Sequence, residues 1–302
     1  MKPDAVLIAG PTASGKSAAA LALAEQIHGT IVNTDSMQVY REARVLTARP
    51  SDEDMTRVPH LLYGHVSVHE PYSVARYQAD ASGALAAVRA AKRMPIFAGG
   101  TGLYFGALTE GLAEIPPVPA DIRARAHARW DEIGADAFFA ELAARDPETR
   151  LRASDRQRVL RATEVFEATG RTLAHWQKSA GTAVLGGLAV ARFVVSPARP
   201  ELHRRIDARF ETMLESGALG EAEALEGLDP ALPAAKILGL RELGAFRADT
   251  LDLPAAKAAA QAATRQYAKR QLTWFRHRMA DWHWIEAQDL SNILAEILSH
   301  VA

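Results

Sequence analysis

Ala5-Val6-Leu7-Ile8-Ala9-Gly10-Pro11-Thr12-Ala13-Ser14-Gly15-Lys16-Ser17 is the stretch on which the fold reading turns. Its five apolar residues read as a buried strand that stops at a Gly-Pro turn signal. An alanine-rich helical stretch follows over 17–28. The same grammar repeats twice. Thr30-Ile31-Val32-Asn33 runs into Thr34-Asp35-Ser36, and Pro95-Ile96-Phe97-Ala98 runs into Gly99-Gly100-Thr101-Gly102, with a helical stretch over roughly 73–92 between them. Strand alternating with helix implies parallel strands whose functional loops lie at their carboxyl ends. Runs at 191–196 and 282–285 add two further strands. The class is α/β.

The loop Gly10-Pro11-Thr12-Ala13-Ser14-Gly15-Lys16-Ser17 matches G-x-x-x-x-G-K-[ST] with the strand before it and the helix after it that the motif requires. Its glycines let the backbone wrap, so that successive N–H groups and the helix N-terminus face phosphate oxygens. Lys16 brings a charge to the terminal phosphate, and Ser17 brings a hydroxyl for Mg²⁺. The pattern specifies a diphosphate or triphosphate, not a nucleotide. Asp35, at the same rim, is open to three readings: a Mg²⁺ carboxylate, a general base, or the N-cap of a following helix. The Gly99–Gly102 loop either brings backbone close to a ligand or is a tight turn.

The 302 residues carry 35 Lys+Arg against 36 Asp+Glu, are 48% hydrophobic, and include no cysteine. Disulfides, thiolate nucleophiles, zinc–thiolate sites and iron–sulfur clusters are thereby excluded. No apolar run approaches the ~20 residues of a membrane span, and the amino terminus has no secretory cleavage pattern. The expectation is a soluble, cytoplasmic protein. Ile115-Pro116-Pro117-Val118-Pro119 breaks the alternation, and helical periodicity then runs over 121–177. The economical reading is one α/β core, 1–114 with 190–302, interrupted by a helical insertion at 115–189. The last third, 199–279, is again mostly helical.

Three motifs in this order and spacing, the 10–17 loop, Asp35-Ser36-Met37-Gln38-Val39-Tyr40 and Gly99-Gly100-Thr101-Gly102-Leu103-Tyr104, resemble the tRNA dimethylallyltransferase family. Pro59-His60-Leu61-Leu62, Tyr72-Ser73, Gln157 to Val165 and Ala263 to Trp274 are similar to further landmarks, so the resemblance covers about residues 5–285. Ser17 stands where threonine is commoner. Val45-Leu46-Thr47-Ala48-Arg49-Pro50 stands where the family often has Ile-Gly-Thr-Ala-Lys-Pro, so Leu46 replaces a glycine.

The resemblance implies a P-loop NTPase-like parallel sheet core with a helical insertion domain. It also implies transfer of a dimethylallyl group from dimethylallyl diphosphate to N6 of adenosine 37 in tRNA. By that resemblance Asp35 is the general base. Lys16, Arg205 and Mg²⁺ held through Ser17 stabilise the leaving diphosphate, and Thr101 contacts the adenosine or the diphosphate. The implied tRNA contacts are Asp35, Ser36, Met37, Gln38, Thr101, Arg123, Gln157, Arg158, Val159, Leu160, Arg161, Lys236, Gly239 and Arg241, gripping the anticodon stem-loop, with the protein acting as a monomer. Adenine 37 must leave its stack to react, which costs a few kcal/mol.

Charge clusters hidden in the neutral total fit that partner. Residues 150–161 hold five arginines against Asp155 alone, and 264–280 hold five cations and no acid. Such faces are more often simply solvated, and Trp274 and Phe275 are assigned to packing. His60, His65 and His203 lack paired metal-ligand spacing. Three alternatives remain: an isopentenyltransferase acting on free adenylate, a P-loop small-molecule kinase, and a nucleotide-dependent switch. The first would not need an arginine-bearing insertion. The second would place ATP in the cradle, and for the third no switch motif is present.

Overall fold

The computed structural model describes residues 2–178, 181–286 and 289–301; residues 179 and 180 of the expected insertion lie outside them. In chain order the first elements are β1 (Ala5–Ala9), α1 (Lys16–Gln26), β2 (Gly29–Asn33), α2 (Asp52–Arg57), β3 (His60–Leu61), α3 (Val74–Ala90), β4 (Met94–Gly99) and α4 (Gly102–Thr109). Three helices follow, α5 (Ala120–Arg145), α6 (Arg156–Thr169) and α7 (Leu173–Gln177). The chain then forms β5 (Val190–Val195), α8 (Arg199–Glu215), α9 (Ala218–Ala224), α10 (Leu240–Arg247), α11 (Leu253–Arg278), β6 (His283–Ile285) and α12 (Leu290–Val301).

The six strands form one parallel sheet in the order β3-β2-β4-β1-β5-β6. The strand β1 lies inside it, and all five of its residues are buried. Successive side chains point to opposite faces. Ala5, Leu7 and Ala9 therefore join one core cluster with Phe97 and Val194, whereas Val6 and Ile8 join a second with Ile96, Phe193 and Val195. A strand covered on both faces cannot alternate apolar with polar, which is why it reads as a continuous apolar run. The two-residue β3 was not expected as a strand; two residues are too few to carry a periodic signal.

Two helices of the last third supply one side of the site. In α8 the buried residues Leu202, Ile206, Phe210 and Met213 recur every three or four positions. In α11 Ala256, Ala260, Thr264, Ala268, Gln271 and Phe275 do the same. That spacing is one stripe of a 3.6-residue helix. Pro254 sits in the first turn of α11 behind the cap Asp252, whose side chain accepts the Ala255 N–H.

The chain divides into two compact units, one of residues 1–109 with 184–302 and one of Glu110–Ala183. The expected insertion, 115–189, is thus shifted a few residues toward the amino terminus. Leu185 explains the later edge: it is buried in the sheet unit's core and its N–H donates to the Leu108 carbonyl at 2.9 Å. Gly111 explains the earlier one, since its backbone (φ +81) lies so close to Gly181 that a Cβ would stand 2.3 Å from the Gly181 carbonyl oxygen.

The smaller unit is held by its own apolar cluster of Ala126, Trp130, Phe138, Leu142, Val159, Leu160 and Ala162. Val159 and Leu160, both in the expected tRNA-contacting set, have buried side chains that fasten α6 to α5. Arg123, Gln157 and Arg158 are exposed and Arg161 is half-buried. The arginine cluster is partly neutralised, with Arg156 on Asp131 at 2.8 Å and Arg158 near Asp155 at 3.5 Å.

Candidate active site at the carboxyl edge of the sheet

The strand order β2-β4-β1 sets three loops side by side: the Asp35 loop after β2, the Gly99–Gly102 loop after β4, and the 10–17 loop after β1. Adjacent strands lie about 4.8 Å apart, so the outer two loops face each other across about 10 Å. That span can hold a diphosphate on one side and a reacting group on the other.

The 10–17 loop has the shape the motif demands. Gly15 is left-handed (φ +95) and opens α1, whose N-terminus faces the cradle. Gly10 approaches its surroundings so closely that a Cβ would stand 2.7 Å from the Val195 carbonyl oxygen. Ser14 is fully buried, and the exposed Ser17 stands on the first turn of α1. Pro11 and Ala13 complete the wrap: the Pro11 carbonyl accepts the Ser14 N–H at 3.2 Å and the Lys16 ammonium at 3.2 Å, and Ala13 carries φ +64.

Burial brings the Lys16 pKa down to about 8; the attraction of Asp35 works against this and the repulsion of Arg209 adds to it. The ammonium is therefore charged below pH 8 and loses its proton above it. Affinity for inorganic diphosphate, taken relative to a Lys16→Met variant, is expected to be greatest below pH 8. Above it, the affinity should fall by up to about tenfold per pH unit. Titration calorimetry of the two proteins between pH 7 and 9.5 measures this. A constant difference across that range would refute the assignment.

The Asp35 loop is tied in several directions. Asn33, buried at the end of β2, accepts the Asp35 N–H at 2.8 Å and donates to the Asp35 and Leu62 carbonyls. Of the Asp35 carboxylate oxygens, Oδ1 accepts the Met37 N–H at 2.9 Å. Asp35 thus caps a local turn, not a helix, since the next helix begins only at Asp52. The Oδ2 atom faces the Gly100 side, where a Cβ would approach it to 3.3 Å.

Thr101 serves the Asp35 loop. Its hydroxyl accepts the Ser36 N–H at 2.9 Å and donates to Ser36 Oγ at 3.2 Å, while its own N–H donates to the Thr34 carbonyl at 3.1 Å. Gly99 permits this interlock, because any Cβ there would lie 2.1 Å from the Thr34 carbonyl. Gln271 ties the remaining pair of loops. Buried on α11, it accepts the Thr12 N–H and donates to the Gly100 carbonyl, both at 2.9 Å. Nothing local in sequence marks a glutamine in a basic helix as a loop clamp.

These loops and helices enclose a cavity of about 280 Å³. One wall is polar, with Thr12, Asp35 and Arg209, and another is apolar, with Leu46, Ile206, Phe210 and Met213. Ser36, Met37 and Lys236 line it as well, together with Tyr267 and Arg270. Gln38 supports the wall from behind, donating to the Thr47 and Ala48 carbonyls at 2.9 and 2.8 Å. Gly239 (φ +87) caps α10 and lets Phe210 and Leu46 close over it, and Arg241 is exposed beside Glu242. As expected, Phe275 is buried; Trp274 packs on Gly102.

The two arginines of α8 have different surroundings. Arg205 lies against the outside of the loop, donating to the Ser14 carbonyl at 3.3 Å and to Glu201 at 2.5 Å. Hydrogen bonds from Arg204 and Arg205 hold Glu201 down at about 2. Arg209, one turn later, lines the cavity and donates to the Thr12 hydroxyl. Burial lowers its pKa, opposed by Asp35, and it has no ion pair among the described residues. Arg209 was not among the expected site residues; its position one helical turn after Arg205 is the sequence signal that points to it.

Residues 38–278 match the IPP transferase family, and residues 3–72 match isopentenyl transferase. The chain belongs to the IPP transferase family. One relative of this IPP transferase, the tRNA dimethylallyltransferase of Azorhizobium caulinodans, is 52% identical over 288 residues, 93% of this chain and 92% of the relative. The full-length tRNA isopentenylpyrophosphate transferase of Bacillus halodurans superposes with a TM-score of 0.70 at 29% identity, covering 99% of this chain and 96% of that one. A eukaryotic dimethylallyltransferase caught acting on tRNA superposes at 0.81 with 25% identity, covering 95% of this chain and 74% of that one. Among the described residues of the IPP transferase, no group of three or more His, Cys, Asp or Glu side chains forms a metal cluster. Among the described residues, no helix is long and apolar enough to cross a membrane.

Proposed function

We infer that this chain is a tRNA dimethylallyltransferase, moving the dimethylallyl group of dimethylallyl diphosphate onto N6 of adenosine 37. The observation that carries this reading is one cavity, beside the 10–17 loop, whose polar side holds Thr12, Asp35 and Arg209 and whose other side is apolar. A nucleotide kinase has no use for the apolar wall. A prenyl diphosphate needs a cationic grip for its head and an apolar surface for its tail.

The exocyclic amine of adenine is a weak nucleophile, because its lone pair is delocalised into the ring. As the N6–C1 bond forms and the C1–O bond of the donor breaks, a proton leaves N6, and Asp35 Oδ2 receives it. The departing diphosphate gathers negative charge, which the loop N–H groups, Lys16 and Arg209 stabilise. Thr101 and Asn33 act earlier, by holding Asp35 in place. Arg205 contributes to the same end of the site through the Ser14 carbonyl.

Ser17 offers a hydroxyl, and the diphosphate would supply further hard oxygen ligands, a donor set that suits Mg²⁺, an ion that keeps several waters and needs few protein ligands. When bound there, Mg²⁺ would neutralise charge on the leaving diphosphate. The Glu110–Ala183 unit, with Arg123, Gln157, Arg158 and Arg161, would grip the anticodon stem-loop, and Met37, Lys236 and Arg270 would meet the extruded base. The protein acts as a monomer in the cytoplasm, where its substrate is.

The test is transfer of label. Incubated with Mg²⁺ and labelled dimethylallyl diphosphate, the protein should label tRNA and leave AMP unlabelled. Label entering AMP would move the assignment to a free-nucleotide isopentenyltransferase. Phosphoryl transfer from ATP, with no label in tRNA, would move it to a kinase.

A further inference from the structure

The apolar wall of the cavity includes Leu46, which sits on an irregular segment with no regular secondary structure of its own to hold it. The hold comes from a distance in sequence. Glu221, half-buried on α9, accepts three backbone N–H groups in a row. Its Oε2 takes those of Arg44 and Val45, both at 2.7 Å, and its Oε1 takes that of Leu46 at 2.8 Å. Charge-assisted bonds of this length are about twice as strong as neutral ones. Three of them fix the orientation of the 44–46 backbone.

So clamped, the Leu46 side chain is buried and converges with Phe210 over Gly239. A Cβ at Gly239 would stand 3.0 Å from the Phe210 ring and 3.3 Å from Leu46 Cδ2. The next residue is fastened too: Thr47 donates to the Ala43 carbonyl at 2.5 Å, and its carbonyl accepts from Gln38. The segment is thus a rigid wall without being an element.

We propose that Glu221 is a positioning residue that sets the depth of the prenyl pocket by holding Leu46 against Phe210. Together the two residues restrict the donor to a five-carbon chain. The inference rests on the prenyl-transfer reading and adds to it the residues that set donor length. Glu221 touches no reacting atom; its effect runs through the backbone of 44–46 to one side chain.

The experiment compares dimethylallyl and geranyl donors on Glu221→Gln, Leu46→Ala and the double variant. Glutamine keeps the shape but replaces one acceptor oxygen with a donor and removes the charge. Expected for Glu221→Gln is a KM for dimethylallyl diphosphate raised about three- to tenfold, with kcat and the KM for tRNA near wild type. The ratio of kcat/KM for geranyl over dimethylallyl donor should rise about tenfold in each single variant, the size of effect that a change of pocket volume has on an apolar substrate. Because both act at one place, the double variant should gain little beyond Leu46→Ala alone.

An unchanged donor ratio in either single variant, effects that multiply in the double, or a change confined to the KM for tRNA would overturn the proposal. Binding of the unreactive thiodiphosphate analogues of the two donors reads the same ratio without turnover. If the wild-type chain fails to transfer, the function reading falls, while the binding ratio still decides the role of Glu221.

Discussion

Asp35→Asn is expected to lower single-turnover transfer by about 10²- to 10⁴-fold, the usual contribution of a positioned general base. Affinity for tRNA should stay within about threefold of wild type. Asparagine is the informative replacement because its side-chain oxygen can still accept the Met37 N–H, which is how Oδ1 of Asp35 closes the local turn. The loop would then keep its shape, since Asn33 and Thr101 hold it through the backbone of Asp35 and Ser36. What is lost is the second oxygen's capacity to take a proton. Rapid-quench transfer assays and filter binding on the same protein separate the two quantities. A parallel loss of rate and tRNA affinity would make Asp35 a binding residue.

The second large effect separates two arginines four residues apart. Arg209→Ala should lower kcat by about 10²- to 10³-fold, the scale of removing one group aimed at developing charge. Arg205→Ala should cost less than about tenfold. Arg205 is already engaged by Glu201 and meets the loop at the Ser14 carbonyl. Arg209 is a desolvated cation in the cavity with no ion pair among the described residues, a costly arrangement unless an anion is brought to it. Arg209→Lys should recover only part of the loss, because an ammonium lacks the planar fork that grips two phosphate oxygens. Equal effects at 205 and 209, by steady-state kinetics and diphosphate binding, would show that the helix turn does not matter.

Much of the site was legible in sequence because its parts are local. The loop after β1 is a contiguous motif whose glycines answer to local backbone geometry. Asp35 and Thr101 follow apolar runs that a parallel sheet must bury. What the sequence left open has another cause. Val159 and Leu160 lie in a stretch rich in arginine, and residues between cations look like surface until the helix is rolled to show which face is buried. Arg205 and Arg209 both sit in one helix, and only its packing against the loop decides which of them lines the cavity.

By itself the sequence determined the α/β class, and it marked the 10–17 loop, Asp35 and a helical interruption of the core as candidates. All follow from periodicity, turn chemistry and motif spacing within short windows. Only the tertiary structure decided which loops are neighbours. The order β2-β4-β1 brings residues 10–17, 35 and 101 to one rim, and no local pattern encodes it. The clamps were likewise invisible: Gln271 is 259 positions from the Thr12 it holds, and Glu221 is 175 from Leu46. Hydrogen bonds across such separations exist only once the core has fixed both partners, so their cause lies in the packing, not in either stretch of chain.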